Sequence, residues 1–325
     1  MRHDDDPHAV NFLIDEDGPD PVAGSVRVDA PSIVWNGGMA LIALVAGPLF
    51  VTPGTIMLFV LTTGAALLLG HSVGYHRMMI HGSFAGPRWF RRALVWFGAI
   101  VGMAGPYGII RAHDTRDWAQ RQANCHPFLR HGATMLRDAW WQIYCRLDLD
   151  DPPRFDFGEL DNDPFYRWLE ATWRWQQLPV ALLFFAIGGW GWVAWGVAAR
   201  VAVATHGHWL VGHLAHNRGS QHWTVDAHGV QAFDVPWAAI PTMGEAWHNN
   251  HHAYPGSARI GLHPGQSDWG YAFIRLCERF GLMWNVRTPE TMGLRPGLSE
   301  MPRHGPGFAA HSRHGTISQL ARRGR

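Results

Sequence analysis

Trp247-His248-Asn249-Asn250-His251-His252-Ala253-Tyr254-Pro255 places three imidazoles in immediate succession. On a helix His248, His251 and His252 stand at i, i+3 and i+4, so all three project from one face. Imidazole suits iron, copper, zinc or nickel, and a mostly nitrogen site with open positions suits metals that activate water or oxygen. A metal grip therefore explains the cluster better than a demand of the fold, and the remaining ligands must come from elsewhere in the chain.

Other histidines recur in groups. His71, His76 and His81 are spaced by five, His113 opens a polar segment, and His206, His208, His213 and His216 close an apolar run. With α-helical winding, i to i+5 turns a side chain by about 140°. His76 and His81 are then expected to serve two neighbouring ions and not to grip one. His213 and His216 share a face, and His206 joins that stripe two turns earlier. Ionisable groups striped along the end of a membrane helix point to function. Glu245, three residues before His248, is placed either to orient a ligand imidazole or to cap a helix. Asp226 and Asp234 are further carboxylates without a positional argument, whereas His126, His131, His222, His228 and His263 read first as structural or surface groups.

The elements that must position these groups are apolar. Of 325 residues 47% are hydrophobic, with 18 tryptophans, 37 glycines and 21 histidines, and mean hydropathy is near zero only because long apolar runs alternate with polar segments. The 27 basic residues are all arginine and the net charge of +1 excludes nucleic acid as an expected partner. Three cysteines, widely spaced and in no CxxC pair, argue against a disulfide framework or an iron-sulfur site. Two uncharged runs, 33–51 and 52–70, flank Thr52-Pro53-Gly54, a tight turn between antiparallel membrane helices. A second block, 178–214, is broken at Gly188-Gly189-Trp190-Gly191-Trp192 and predicts another hairpin. Residues 89–110 fit either an interfacial amphipathic helix or a further span. The expected fold is an all-α integral membrane protein, with four transmembrane helices in two hairpins and a helical metal-binding cap. Residues 1–30 are expected as a flexible polar N-terminus, 31–285 as the membrane domain with its cap, and 286–325 as a disordered basic tail. Arginines flank the hairpins and are missing from their bends, so both termini and the cap are expected in the cytoplasm, at an inner or plasma membrane.

Gly74-Tyr75-His76-Arg77-Met78-Met79-Ile80-His81 resembles the first histidine box of the membrane fatty acyl desaturases, and His248-Asn249-Asn250-His251-His252 resembles their third. Arg111-Ala112-His113 falls where the second box begins in the stearoyl-CoA desaturase group. The stretch from Trp209 to His216 resembles the segment that supplies that group's additional histidine. The resemblance implies an oxygen-dependent desaturase of fatty acyl chains, with two irons held by His76, His81, His113, His216, His248, His251 and His252. O2 is the implied co-substrate, and no bound haem or flavin is expected.

The second box departs from its pattern, because Arg116 and Asp117 stand where two imidazoles belong. Asp117 is then a candidate carboxylate ligand, and His71, His126, His131 and His213 are candidates to complete the sphere. Gly212 replaces an asparagine of the family pattern, four residues before His216. The implied reaction attacks an unactivated methylene, which needs oxygen activated at a redox metal because an alkyl C–H is not usefully acidic. Electrons must come from a separate ferredoxin, rubredoxin or similar donor with its reductase. Arg111, Arg116 and Arg121 either dock that donor or the phosphates of a thioester substrate, or serve only as positive-inside residues. The tryptophans line an acyl tunnel or form an interfacial belt. Sibling readings are a lipid hydroxylase or a decarboxylating alkene former, and, from another class, a non-catalytic metal or haem carrier.

Overall fold

The computed structural model describes residues 7–14, 18–226 and 228–302. A short strand β1 (Gly24–Val28) leads to α1 (Ala30–Leu49), whose N-terminus is capped by Asp29 accepting from Ser32 N. The chain turns at Thr52, which caps α2 (Pro53–Ile80) by accepting from Thr55 N while Thr55 Oγ1 accepts from Thr52 N. This reciprocal cap, with Pro53 in the first turn, ends one helix and starts the next, as the Thr-Pro-Gly signal predicts. Leucines along this hairpin stay uncovered, Leu44 and Leu49 at 75% exposure, an apolar surface that water would penalise and lipid would not.

α2 runs ten residues past its expected end, and from Ala66 to Ile80 it winds wider, in π geometry. Its amides there bond five residues back, as His81 N does to His76 O. At about 4.4 residues per turn, positions five apart stack on one face. α3 (Arg88–Val101) lies against this stretch with Leu94, Val95 and Ala99 buried. The backbones meet at Gly70 and Gly74, where an added Cβ would fall 2.3 Å from Phe97 O and 2.6 Å from Leu94 O. Small residues here permit helix-helix contact that a larger side chain would prevent.

α3 and α4 (Pro106–Arg121) join at a 78° bend, with Glu170 Oε2 accepting from Tyr107 N and Gly108 N at the start of α4. The two rival expectations for residues 89–110 thus resolve into a bent pair. α5 (Met135–Tyr144), β2 (Cys145–Leu149) and α6 (Pro164–Thr172) follow. α7 (Gln177–Ala215) contains a break at Gly189, with φ 65 and ψ −158. Phe184 consequently packs on Gly196, although a straight helix would hold residues twelve apart about 18 Å from each other. The break falls inside the bend expected at 188–192, and Trp195 Nε1 ties the part of α7 after it to Gly47 O of α1 at 3.0 Å. Mid-helix Arg200 is buried and donates to Gly196 O, Ile100 O and Gln177 Oε1.

The cap is completed by β3 (Trp223–Val225), α8 (His248–Ala253), α9 (Trp269–Arg279) and β4 (Leu298–Glu300). Among the described residues the protein is mostly helical, with three helices long and apolar enough to cross a membrane, or four if the bent pair is one span. Strands β1–β2 and β3–β4 add two short two-stranded antiparallel ribbons to a mostly helical framework that is consistent with the expected all-α fold. One feature corrects the sequence expectations. The termini pack wherever they are described: Val10, Phe12 and Leu13 are buried, β1 pairs with β2, and Arg287 N donates to Ser83 O. Apolar residues scattered through a polar-looking terminus sufficed to bury it. Residues 303–325, the rest of the expected tail, lie outside the described residues.

Candidate metal centre

The seven histidines implied as ligands converge from four separate stretches into two groups. His76, His81, His113 and His251 form the first, with all ligand atoms within 4.8 Å of one another. His216, His248 and His252 form the second, where His248 Nε2 lies 3.2 Å from His216 Nε2 and 3.1 Å from His252 Nε2. Two imidazole nitrogens bound at right angles to one metal stand about 3 Å apart, given bonds of about 2.1 Å. The second group therefore already has nearly the spacing of one face of a metal's coordination sphere.

The expected sharing of ligands is revised in two places. His76 and His81 belong to one group, with ring centroids 4.8 Å apart, because the π winding of α2 brings positions five apart onto one face. The short helix α8 splits its histidines: His248 and His252, one turn apart, enter the second group, while His251 enters the first. His248 and His251 stand 5.7 Å apart, so α8 is the wall between the two groups.

Carboxylates fix the rings from behind. Glu245 Oε2 lies 2.5 Å from His76 Nδ1, while its Oε1 accepts from Ser72 Oγ and from Arg77 Nε at 3.0 Å. Arg77, 1% exposed, also meets Asp268 at 2.8 Å. Glu245 thus orients an imidazole, but of His76 and not of the neighbouring His248, because the helix starts only at His248 and residue 245 lies in the preceding turn. Asp114 Oδ1 sits 2.9 Å from His113 Nδ1. Asn249 and Asn250 face away from the imidazoles: Asn249 accepts from His222 N and Trp223 N, and Asn250 donates to Ile260 O. Asp234 Oδ1 accepts from Asn249 N, and burial pushes its carboxyl up to about 7.

Burial, with smaller contributions from His76 and His113, lowers His248 to about 3. Burial also holds His81, His216, His251 and His252 well below the ordinary imidazole value. These rings are neutral near pH 7, so their lone pairs are free to bind a cation. A nitrogen-only donor set with carboxylates hydrogen-bonded behind it fits iron, as it would copper, zinc or nickel.

Several expected contributors lie outside both groups. Asp117 Oδ2 pairs with Arg121 at 2.6 Å, one turn along α4, so a helix neighbour holds the carboxylate proposed as a substitute ligand. Asp117→Ala is accordingly expected to leave metal content unchanged by elemental analysis; loss of one equivalent would return it to the ligand set. Arg116 donates to Gln142 Oε1 at 2.6 Å and faces inward, and Arg111 lies exposed against the Phe157 ring. Of the three arginines considered for docking, Arg111 alone is on the surface. His71 is stacked parallel to His76 at 6.5 Å and is edge-on to His208, and His126 accepts from Phe128 N.

Asp138 ties His131 and His213 into a third group that carries no local sequence signal, since Asp138 and His213 lie 75 residues apart. Asp138 Oδ2 meets His131 Nδ1 at 2.8 Å, His213 Nδ1 at 2.9 Å and Trp209 Nε1 at 2.9 Å. Burial opposes charge on Asp138, but these donors hold its carboxyl down to about 2. The facing atoms already satisfy one another, which makes the triad an orienting network.

No protein-family model matches the chain. It is 31% identical over 266 residues, 79% of its length and 95% of the relative's, to a protein of Anabaena variabilis named sn-1 stearoyl-lipid 9-desaturase. It is 29% identical to a sn-2 palmitoyl-lipid 9-desaturase of Nostoc sp. over 82% of this chain and 93% of that one. An acyl-CoA 5-desaturase of Anemone leveillei is also 29% identical, covering 81% of each chain. With this extent of similarity, and with six box histidines and His216 gathered into two groups, the chain belongs to the membrane fatty acid desaturase family.

Proposed function

We propose that this protein is an oxidoreductase that introduces a double bond into a fatty acyl chain, at a pair of irons held by its two histidine groups. The observation that carries the reading is the convergence of His76, His81, His113 and His251 beside His216, His248 and His252, in a chain similar over most of its length to named lipid desaturases. When bound, the irons supply the oxygen-dependent, one-electron chemistry that no side chain provides. The protein's share is placement. Glu245 and Asp114 aim the imidazoles of His76 and His113, α8 divides the ligands between the two positions, and the buried setting keeps bulk water from the reacting carbon. The substrate is a fatty acyl lipid or thioester, and the electrons come from a separate ferredoxin- or rubredoxin-type donor. Exposed Arg111 is a contact for that donor or for a phosphate of the substrate. The two apolar hairpins supply four spans, with the cap and both termini on the cytoplasmic side of an inner or plasma membrane.

Lipid profiling of a host expressing the chain tests the reading. A new monounsaturated acyl species, dependent on O2 and absent with an empty vector, is expected. A new hydroxylated lipid or terminal alkene instead would replace desaturation with a sibling reaction, and an unchanged profile despite a metal-loaded protein would reject it.

A further inference from the structure

The two groups are unequal, with four imidazoles in the first and three in the second. Arg116 stands where the second box should supply an imidazole, and its guanidinium is engaged by Gln142. His131, from the loop before α5, lies beside the second group. Its ring is parallel to that of His216, with centroids 5.5 Å apart and planes within 11°. The side chain is buried, 2% exposed, and its Nδ1 meets the Asp138 carboxylate at 2.8 Å. That contact places the proton on Nδ1 and leaves the Nε2 lone pair free. Nε2 is buried and has no hydrogen-bond partner among the described residues.

Two further features hold the ring in place. A Cβ at Gly212 would fall 3.3 Å from His131 Nε2, so the ring sits in tight contact with the space a side chain there would take. The backbone of His131 is left-handed, with φ 53, and its carbonyl accepts from Asn217 Nδ2 at 3.0 Å, next to His216. A non-glycine residue held in that region is over-determined by its surroundings, which is common at functional positions. A buried imidazole with Nδ1 on a carboxylate and an unused Nε2 has the arrangement of metal-binding histidines.

We propose that His131 is the fourth nitrogen ligand of the second metal position, admitted by the missing side chain at Gly212 and compensating for the imidazole absent at Arg116. The inference rests on the two-metal reading above.

Equilibrium titration of the metal-free full chain in detergent with Co(II), followed by its visible absorption, tests this. Wild type should take up two equivalents. In His131→Ala and His131→Gln the first equivalent should bind as in wild type, and the second should bind at least about tenfold more weakly, with an altered spectrum confined to that equivalent. Gly212→Val, which crowds the ring without removing it, should give the same pattern. Glutamine can still donate to Asp138, so His131→Gln keeps the test open if the alanine variant does not fold. Two equivalents with wild-type affinity and spectrum in His131→Gln would overturn the proposal alone. Uptake of fewer than two equivalents by wild type would overturn the two-metal reading and the proposal with it.

Discussion

His248→Ala is expected to leave no more than one tightly held metal per chain and to abolish formation of the unsaturated product. His248 lies between His216 and His252, at 3.2 and 3.1 Å, and joins them into one group. Removing it separates the outer pair, whose ring centroids stand 5.5 Å apart. A metal contributes several kcal/mol to a reaction that depends on it, and each 1.36 kcal/mol is tenfold in rate, so turnover should fall more than about a thousandfold. Elemental analysis of the purified protein and chromatography of host lipids measure both effects. His263→Ala, outside both groups, should retain two metals and full product. Normal turnover in His248→Ala would remove that residue from the centre.

The second large effect is on stability. Glu245→Ala should destabilise the fold by about 3–5 kcal/mol, the cost of leaving one member of a buried ion pair without its partner. The residue left behind is Arg77, 1% exposed, which would keep Asp268 but lose Glu245. Ser72 and His76 would lose their partner as well. Burial raises the Glu245 carboxyl, but His76 and Arg77 outweigh it and hold it well below the ordinary value of 4.5. A carboxyl depressed in the folded state contributes stability that is complete above its unfolded pKa and is lost as pH falls through the folded one. The stability difference between wild type and Glu245→Gln should therefore be constant near neutrality and shrink on acidification below about pH 4.5. Thermal unfolding of the metal-free proteins in detergent measures this. A pH-independent difference would mean that the Glu245 charge does not stabilise the fold.

The ingredients of the centre are legible in short stretches of the sequence. Its uncharged runs, the Thr52-Pro53-Gly54 turn and the glycine break near 189 are local signals, and the turn between α1 and α2 and the break inside α7 follow from them. The histidine boxes account for six of the seven imidazoles that converge, and the Trp209–His216 segment for the seventh, because spacing within each motif is a short-range property. Which imidazoles share a position was decided by tertiary structure. Helical periodicity assumes 3.6 residues per turn, whereas the close packing of α2 on α3 goes with π winding that puts His76 and His81 side by side. Glu245 was visible as a carboxylate near His248, but the chain turns before α8 and delivers it to His76 instead. The Asp138 network and the seat of His131 against Gly212 join residues far apart in the chain. No local pattern encodes such contacts, because their energy comes from side chains that meet only after the helices have packed.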